Sequence, residues 1–103
     1  MLNQIVLVGR MVSEAQISEN ENGGKTAAIT LAIPRSYKNE NGEYETDFIP
    51  CVLWNGIATN TCEYCRKGDL LGIKGRIQSK ENKIEIIAEK ITFLSSSLEK
   101  KAE

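Results

Sequence analysis

The chain has no histidine, three cysteines, two prolines and a single tryptophan in 103 residues, and each scarcity removes a class of function. Without histidine the commonest general base and the commonest zinc ligand are both missing, so we expect no enzyme, no metal and no cofactor. Cys51, Cys62 and Cys65 are too few and too odd in number for a secreted disulfide framework, which points to a reducing compartment. No apolar run, Ile5 to Val8 included, approaches the roughly 20 residues of a membrane span. No charged segment followed by a long apolar one marks a leader. These absences predict a cytoplasmic protein without a membrane partner. Neither sign of charge dominates, with 13 Lys plus Arg against 14 Asp plus Glu and a formal net of -1. That excludes a globally basic nucleic-acid binder but leaves room for a locally basic groove.

What is present suffices for one folded domain. Hydrophobic residues make up 41% and charged residues 26%, close to globular averages, and the length suits a single domain. Gln4 to Val12 reads as a first strand, rich in β-branched residues, with Gly9 placed for a bend or bulge. After the Asn- and Gly-rich loop Glu19 to Gly24, Thr26 to Ile33 alternates as a second strand that Pro34 should end. Arg35 to Glu45 reads as a polar loop with a tight turn at Asn41-Gly42, and Thr46 to Trp54 as a third strand. From Asn55 to Lys67 the period lengthens to that of a short helix, with Arg66 and Lys67 in its last turn and Gly68 behind. Asp69 to Ser79 and Ile84 to Leu94 are the fourth and fifth strands, joined by a turn at Lys80 to Lys83. The predicted class is all-β. Five strands with one short helix between the third and fourth have the element order of the five-stranded OB-fold barrel, although another small barrel or an α+β sheet could use the same elements. The predicted domain spans residues 1–94, and residues 95–103 form a short polar tail.

The pair Cys62-Glu63-Tyr64-Cys65 has the C-x-x-C spacing of redox and half-zinc sites. Zinc lacks its remaining ligands here, and the helix C-terminus favours the protonated thiol, so both cysteines read as small packing residues. The aromatics say more. In the third strand a period of two puts Ile49, Cys51 and Leu53 on one face and Phe48, Pro50, Val52 and Trp54 on the other. Phe48 and Trp54 then stand roughly 20 Å apart at about 3.3 Å per residue, a span for several stacked bases, unless another strand, the tail or a second subunit covers that face. Tyr37 lies between Arg35 and Lys38, an aromatic interleaved with cations as on a single-strand binding surface. Residues 51–76 hold Arg66, Lys67, Lys74 and Arg76 against Glu63 and Asp69, a local +2 that predicts a basic strip across the third and fourth strands. Lys74 and Arg76 share one face of the fourth strand, as phosphate contacts or as solvated edge charges.

In sequence order, Asn3-Gln4-Ile5-Val6-Leu7-Val8-Gly9-Arg10, Thr30-Leu31-Ala32-Ile33 with Arg35, Asp47 to Trp54, Tyr64 to Asp69, and Gly75-Arg76-Ile77-Gln78 strongly resemble the bacterial single-stranded DNA-binding protein family. The resemblance implies an OB-fold, usually a homotetramer with a dimer as the alternative assembly. It also implies a non-enzymatic role in DNA replication, recombination or repair with little sequence preference. It implies stacking of single-stranded DNA on Tyr37, Phe48 and Trp54 and phosphate contacts near Arg35, Lys38, Lys67, Lys74 and Arg76. Two features depart from the family. Gln78 to Glu85 is short and has no aromatic where members carry a longer hairpin with a stacking ring. The chain stops at Lys100-Lys101-Ala102-Glu103 without the Gly- and Pro-rich tail and acidic tip that recruit replication and repair proteins. Those departures keep open a second reading, a module similar to primosomal replication protein N that binds proteins first and DNA secondarily.

Overall fold

The computed structural model describes residues 1–96, so the expected tail lies outside the described residues from position 97 onward. Six strands and one helix carry the alternation: β1 (Ile5–Met11), β2 (Gln16–Glu19), β3 (Lys25–Lys38), β4 (Tyr44–Trp54), α1 (Asn55–Tyr64), β5 (Leu70–Lys80) and β6 (Lys83–Ser95). β1 pairs antiparallel with β5, β5 with β6, and β3 with β4, while β4 and β6 meet in parallel at Cys51↔Ile86 and Val52↔Ile87. Pairing of β1 with β3 at Arg10↔Ala32 and Met11↔Leu31 closes the ring. β1, β3, β4, β5 and β6 thus form the expected five-stranded barrel, with the helix between its third and fourth strands in chain order.

Three departures from the sequence expectation bear on the site. β2 is a strand beyond the five expected, and only its last residue, Glu19, falls in the expected loop Glu19 to Gly24. Its four residues are exposed throughout and carry no apolar alternation, yet they pair with β3 at Gln16↔Ala28 through Glu19↔Lys25, extending the edge that β1 begins. β3 does not stop at Pro34 but runs on to Lys38. Beyond Ala32 only β4 flanks it, so a residue without an N–H interrupts no second ladder. Arg35 and Tyr37 therefore sit on a strand arm that projects beyond the barrel. Finally, α1 ends at Tyr64, and Cys65 caps it through its N–H to the Thr61 carbonyl. Arg66 and Lys67 lie in the following turn, where the Arg66 N–H donates to the Asp69 carboxylate at 2.8 Å. The Arg66 guanidinium reaches back to the carbonyls of Cys62, Glu63 and Cys65. The basic residue thus does serve the helix C-terminus, from outside it.

The turns are built from one device used twice. Asn20 and Asn39 each begin an Asn-Glu-Asn-Gly segment, and each side-chain carbonyl accepts two backbone N–H groups of its own turn. Gly23 and Gly42 supply the positive φ, at 82° and 78°. The β5–β6 hairpin turns instead on Glu81 and Asn82, both with φ above zero, as a two-residue hairpin turn of the favoured hand requires.

Met11, Ile29, Leu31, Leu53, Leu71 and Ile73 are almost fully buried and fill the barrel. α1 adds Ala58 and Thr61, one turn apart, to the same core, with Cys65 beyond them. Cys51 lies within this core, where burial pushes its thiol up to about 11. Burial also raises Cys62, and burial followed by the nearby Asp69 carboxylate raises Cys65. All three cysteines are free. The C-x-x-C pair thus packs as small side chains and carries no activated thiolate.

Two glycines bring backbones together. A Cβ on Gly9 would stand 2.8 Å from the Ala32 carbonyl oxygen, and one on Gly75 would collide with the carbonyl of Ile87, where the β5–β6 register shifts. Gly75→Ala should destabilise the fold by roughly 1–3 kcal/mol in urea unfolding, whereas Gly56→Ala, in open space on α1, should leave stability unchanged or raise it by up to about 1 kcal/mol. A neutral Gly75→Ala would mean that the two strands are not held this closely. The thiols give a second check. Native alkylation at neutral pH should be slow at all three cysteines and accelerate on unfolding. Because the folded Cys51 value lies above the unfolded one near 8.5, its contribution to stability should be full below that pH and fade as pH rises through about 11. One fast-reacting native thiol would contradict the packing role.

Candidate nucleic-acid interface

On β4 the inward parity belongs to Ile49, Cys51 and Leu53, and the last two are almost completely buried. The opposite parity leaves Phe48 62% and Trp54 43% exposed, on the face expected from the sequence. Their cross-strand neighbours on β3 are small: Thr26 faces Trp54 and Ala32 faces Phe48, with Ala28 and Thr30 opposite Val52 and Pro50 between them. Small partners leave the aromatic rings standing above the sheet instead of being sandwiched by it.

Trp54 and Val52 form one side of a groove of about 620 Å³ that β2 borders through Gln16, Ile17 and Ser18 and the β5–β6 hairpin borders through Gln78, Lys80 and Glu85. A contiguous depression of about 300 Å³ continues past Pro50 and Val52 to Lys83 and Ile84 at the hairpin end. The lining combines an indole, aliphatic side chains, neutral polar groups, Lys80 and Lys83, and the carboxylates of Glu81 and Glu85. Such a surface can hold the flat face of a base while cations meet its phosphates.

The residues singled out from the sequence do not all gather here. Tyr37 is 63% exposed on the β3–β4 arm, in the stretch between Pro34 and Lys38 where the pairing register shifts. Lys38 lies on the same arm with its ammonium 5.7 Å from the Tyr44 ring centroid. Arg35 is held by two acids: its Nη1 donates to Glu45 at 2.7 Å, and its Nε and Nη2 donate to Asp47 at 3.1 and 2.8 Å. This guanidinium keeps the Asp47 carboxyl below the usual carboxylate range, chiefly through its hydrogen bonds. Arg76 donates to Glu89 at 3.0 Å and to Gln78. Lys74 lies on the outer face of β5 between Val6 and Lys90, lining a separate depression with Gly72 and Thr92. Lys67 is in the turn after α1, its backbone N–H on Glu14, and does not line the groove. The basic strip expected across the third and fourth strands does not form, because β6 inserts between β4 and β5.

Sequence reasoning passed over Lys80 and Lys83, which it read only as turn residues, and Gln16 to Ser18, which it left unassigned between the first strand and the loop at Glu19 to Gly24. A tight turn flanked by two lysines beside an alternating strand was the available signal for the first pair. The second had none, since β2 is defined by its partner strand and not by its own pattern.

Among the described residues no three His, Cys, Asp or Glu side chains form a group that could hold a metal ion, and no helix is long and apolar enough to cross a membrane.

Comparison with known proteins agrees with the fold. Residues 2–94 match the model of the single-strand binding protein family. The chain is 39% identical to single-stranded DNA-binding protein B of Bacillus subtilis, over 99% of this chain and 98% of that protein. It is 41% identical to single-stranded DNA-binding protein 3 of Streptococcus agalactiae, over 93% and 76%. Among solved structures, a deletion mutant of the single-stranded DNA binding protein from Thermus aquaticus superposes with a TM-score of 0.75 at 21% identity, over 93% of this chain and 52% of that one, a likeness of fold. By its matched length, its relatives and its barrel, the chain belongs to the single-strand binding protein family.

Proposed function

We propose that this chain binds single-stranded DNA without catalysis and with little sequence preference, serving replication, recombination or repair. The observation that carries the reading is Trp54, a half-exposed indole over small neighbours at the side of a groove that also holds Lys80. A duplex presents its bases edge-on, and only an unpaired strand offers faces to such a ring. In this reading Trp54, Phe48 and Tyr37 stack on bases, while Lys38, Lys67 and Lys74 meet phosphates as the strand wraps the barrel. Lys80 and Lys83 join them beside the groove.

Residues 1–94 would be the binding unit. Assembly into a homo-oligomer, a tetramer by family resemblance, belongs to the same proposal. Val6 and Val8 are exposed on the outer face of β1, beside Gly72 on β5 and with Leu94 on β6 also exposed, and apolar side chains on a sheet face favour a protein partner.

Fluorescence anisotropy with labelled oligo(dT) tests the reading. Trp54→Ala should weaken binding by about 1–3 kcal/mol. The logarithm of the affinity should fall linearly with the logarithm of salt, with a slope of about -0.7 per phosphate contacted. A preference for duplex DNA of the same length, or a Trp54→Ala variant with unchanged affinity, would overturn it.

A further inference from the structure

The two hairpins that reach beyond the barrel differ in charge. From Lys74 to Lys90 the β5–β6 hairpin carries Lys74, Arg76, Lys80, Lys83 and Lys90 against Glu81, Glu85 and Glu89, a net +2. From Pro34 to Phe48 the β3–β4 arm carries Arg35 and Lys38 against Glu40, Glu43, Glu45 and Asp47, a net -2. The arm that presents Tyr37 and Phe48 is thus the more acidic of the two, and two of its acids are aimed at its own arginine.

The geometry at Arg35 matches that of an arginine on a phosphate. A guanidinium offers one fork along Nε and Nη2 and another across Nη1 and Nη2. Asp47 occupies the first fork with both carboxylate oxygens, at 3.1 Å from Nε and 2.8 Å from Nη2, and Glu45 takes Nη1 at 2.7 Å. All three nitrogens are engaged by carboxylates, and the three side chains together carry one negative charge. Nη1 and Nη2 each keep one N–H, so a phosphate can still approach end-on, but to take the Nε and Nη2 fork it must displace a charge-assisted bidentate partner, and on either path it comes close to two anions. Register fixes this arrangement: Asp47 is paired with Ile33 in the β3–β4 ladder, on the parity it shares with Glu45, and Arg35 follows two residues after Ile33.

We propose that Asp47 and Glu45 form an intramolecular counter-ion clamp that withholds Arg35 from the DNA backbone and so weakens the grip of the β3–β4 arm on single strands. The inference rests on the single-stranded DNA reading above and adds a determinant of affinity to it. The clamp leaves the stacking rings of the arm in place while keeping a strong phosphate contact out of use, which shortens the residence of the strand on that arm. Because the side chains are partly exposed, the ion pairs add little to stability, and isosteric neutral variants should fold.

The test compares the unaltered chain with four variants by oligo(dT) titration across salt, with far-UV circular dichroism and thermal midpoints as folding controls. Asp47→Asn with Glu45→Gln should tighten binding several-fold at low salt and steepen the salt slope by about 0.7, the release expected for one added phosphate contact. Glu40→Gln with Glu43→Gln changes the charge of the arm equally but touches no part of the clamp, and should leave the slope where it was. Arg35→Gln should change little in the unaltered chain and abolish the gain in the Asp47→Asn, Glu45→Gln background. Equal gains from both acid pairs, no gain from the first, or a loss of slope from Arg35→Gln alone would each overturn the clamp. Absence of oligo(dT) binding by the unaltered chain would instead defeat the reading on which it rests, so the two failures are distinguishable.

Discussion

Burial of Cys51 and Leu53 is the constraint on which the binding face depends. Both are almost fully buried, and a strand alternates its side chains without exception between register shifts. Once they enter the barrel, Val52 and Trp54 must leave it, and Phe48 follows two steps of the same alternation beyond Val52. β3 completes the effect by setting Thr26, Ala28, Thr30 and Ala32 opposite them. Bulky partners at those four positions would cover the rings. Trp54 is also the last residue of β4 and the N-cap of α1, with extended backbone there, so the same residue ends the strand, begins the helix and faces the groove.

Closing the barrel supplies what β4 cannot. Gly9 and Gly75 let backbones approach within the distance that a side chain would deny, and the parallel contact of β4 with β6 sets the β5–β6 hairpin beside Trp54. The groove therefore draws on five strands, with cations from one hairpin and the indole from another. The small net charge of the whole chain conceals this division. One projecting hairpin is net positive and the other net negative, and arginines on both are already paired with acids, Arg35 to Asp47 and Glu45, Arg76 to Glu89.

The local parts of this arrangement were legible in the sequence. The alternation of Ile49, Cys51 and Leu53 against Phe48 and Trp54, the helix after Trp54, and the positive-φ glycine at position 42 all follow from short-range rules of periodicity and turn chemistry. The rest was not, for a physical reason in each case. β2 owes its strand form to pairing with β3, since its own residues are exposed and without pattern. Pro34 ends a strand only where both edges are in use, and beyond Ala32 one edge of β3 is bare. The insertion of β6 between β4 and β5 dispersed the expected basic strip, because neighbours in a sheet are not neighbours in the chain. The ion pairs of Arg35 and Arg76 needed the register, which no single strand contains.

Trp54 is the only tryptophan, so intrinsic fluorescence reports on one place in the molecule. Titration with unlabelled oligo(dT) at low salt, excited in the indole band, tests most directly whether the exposed face of β4 holds bases. Stacking on Trp54 predicts strong, saturable quenching that reverses on addition of salt. Binding without any change in Trp54 emission would show that DNA engages the barrel elsewhere, and it would contradict the assignment of this face as the stacking surface.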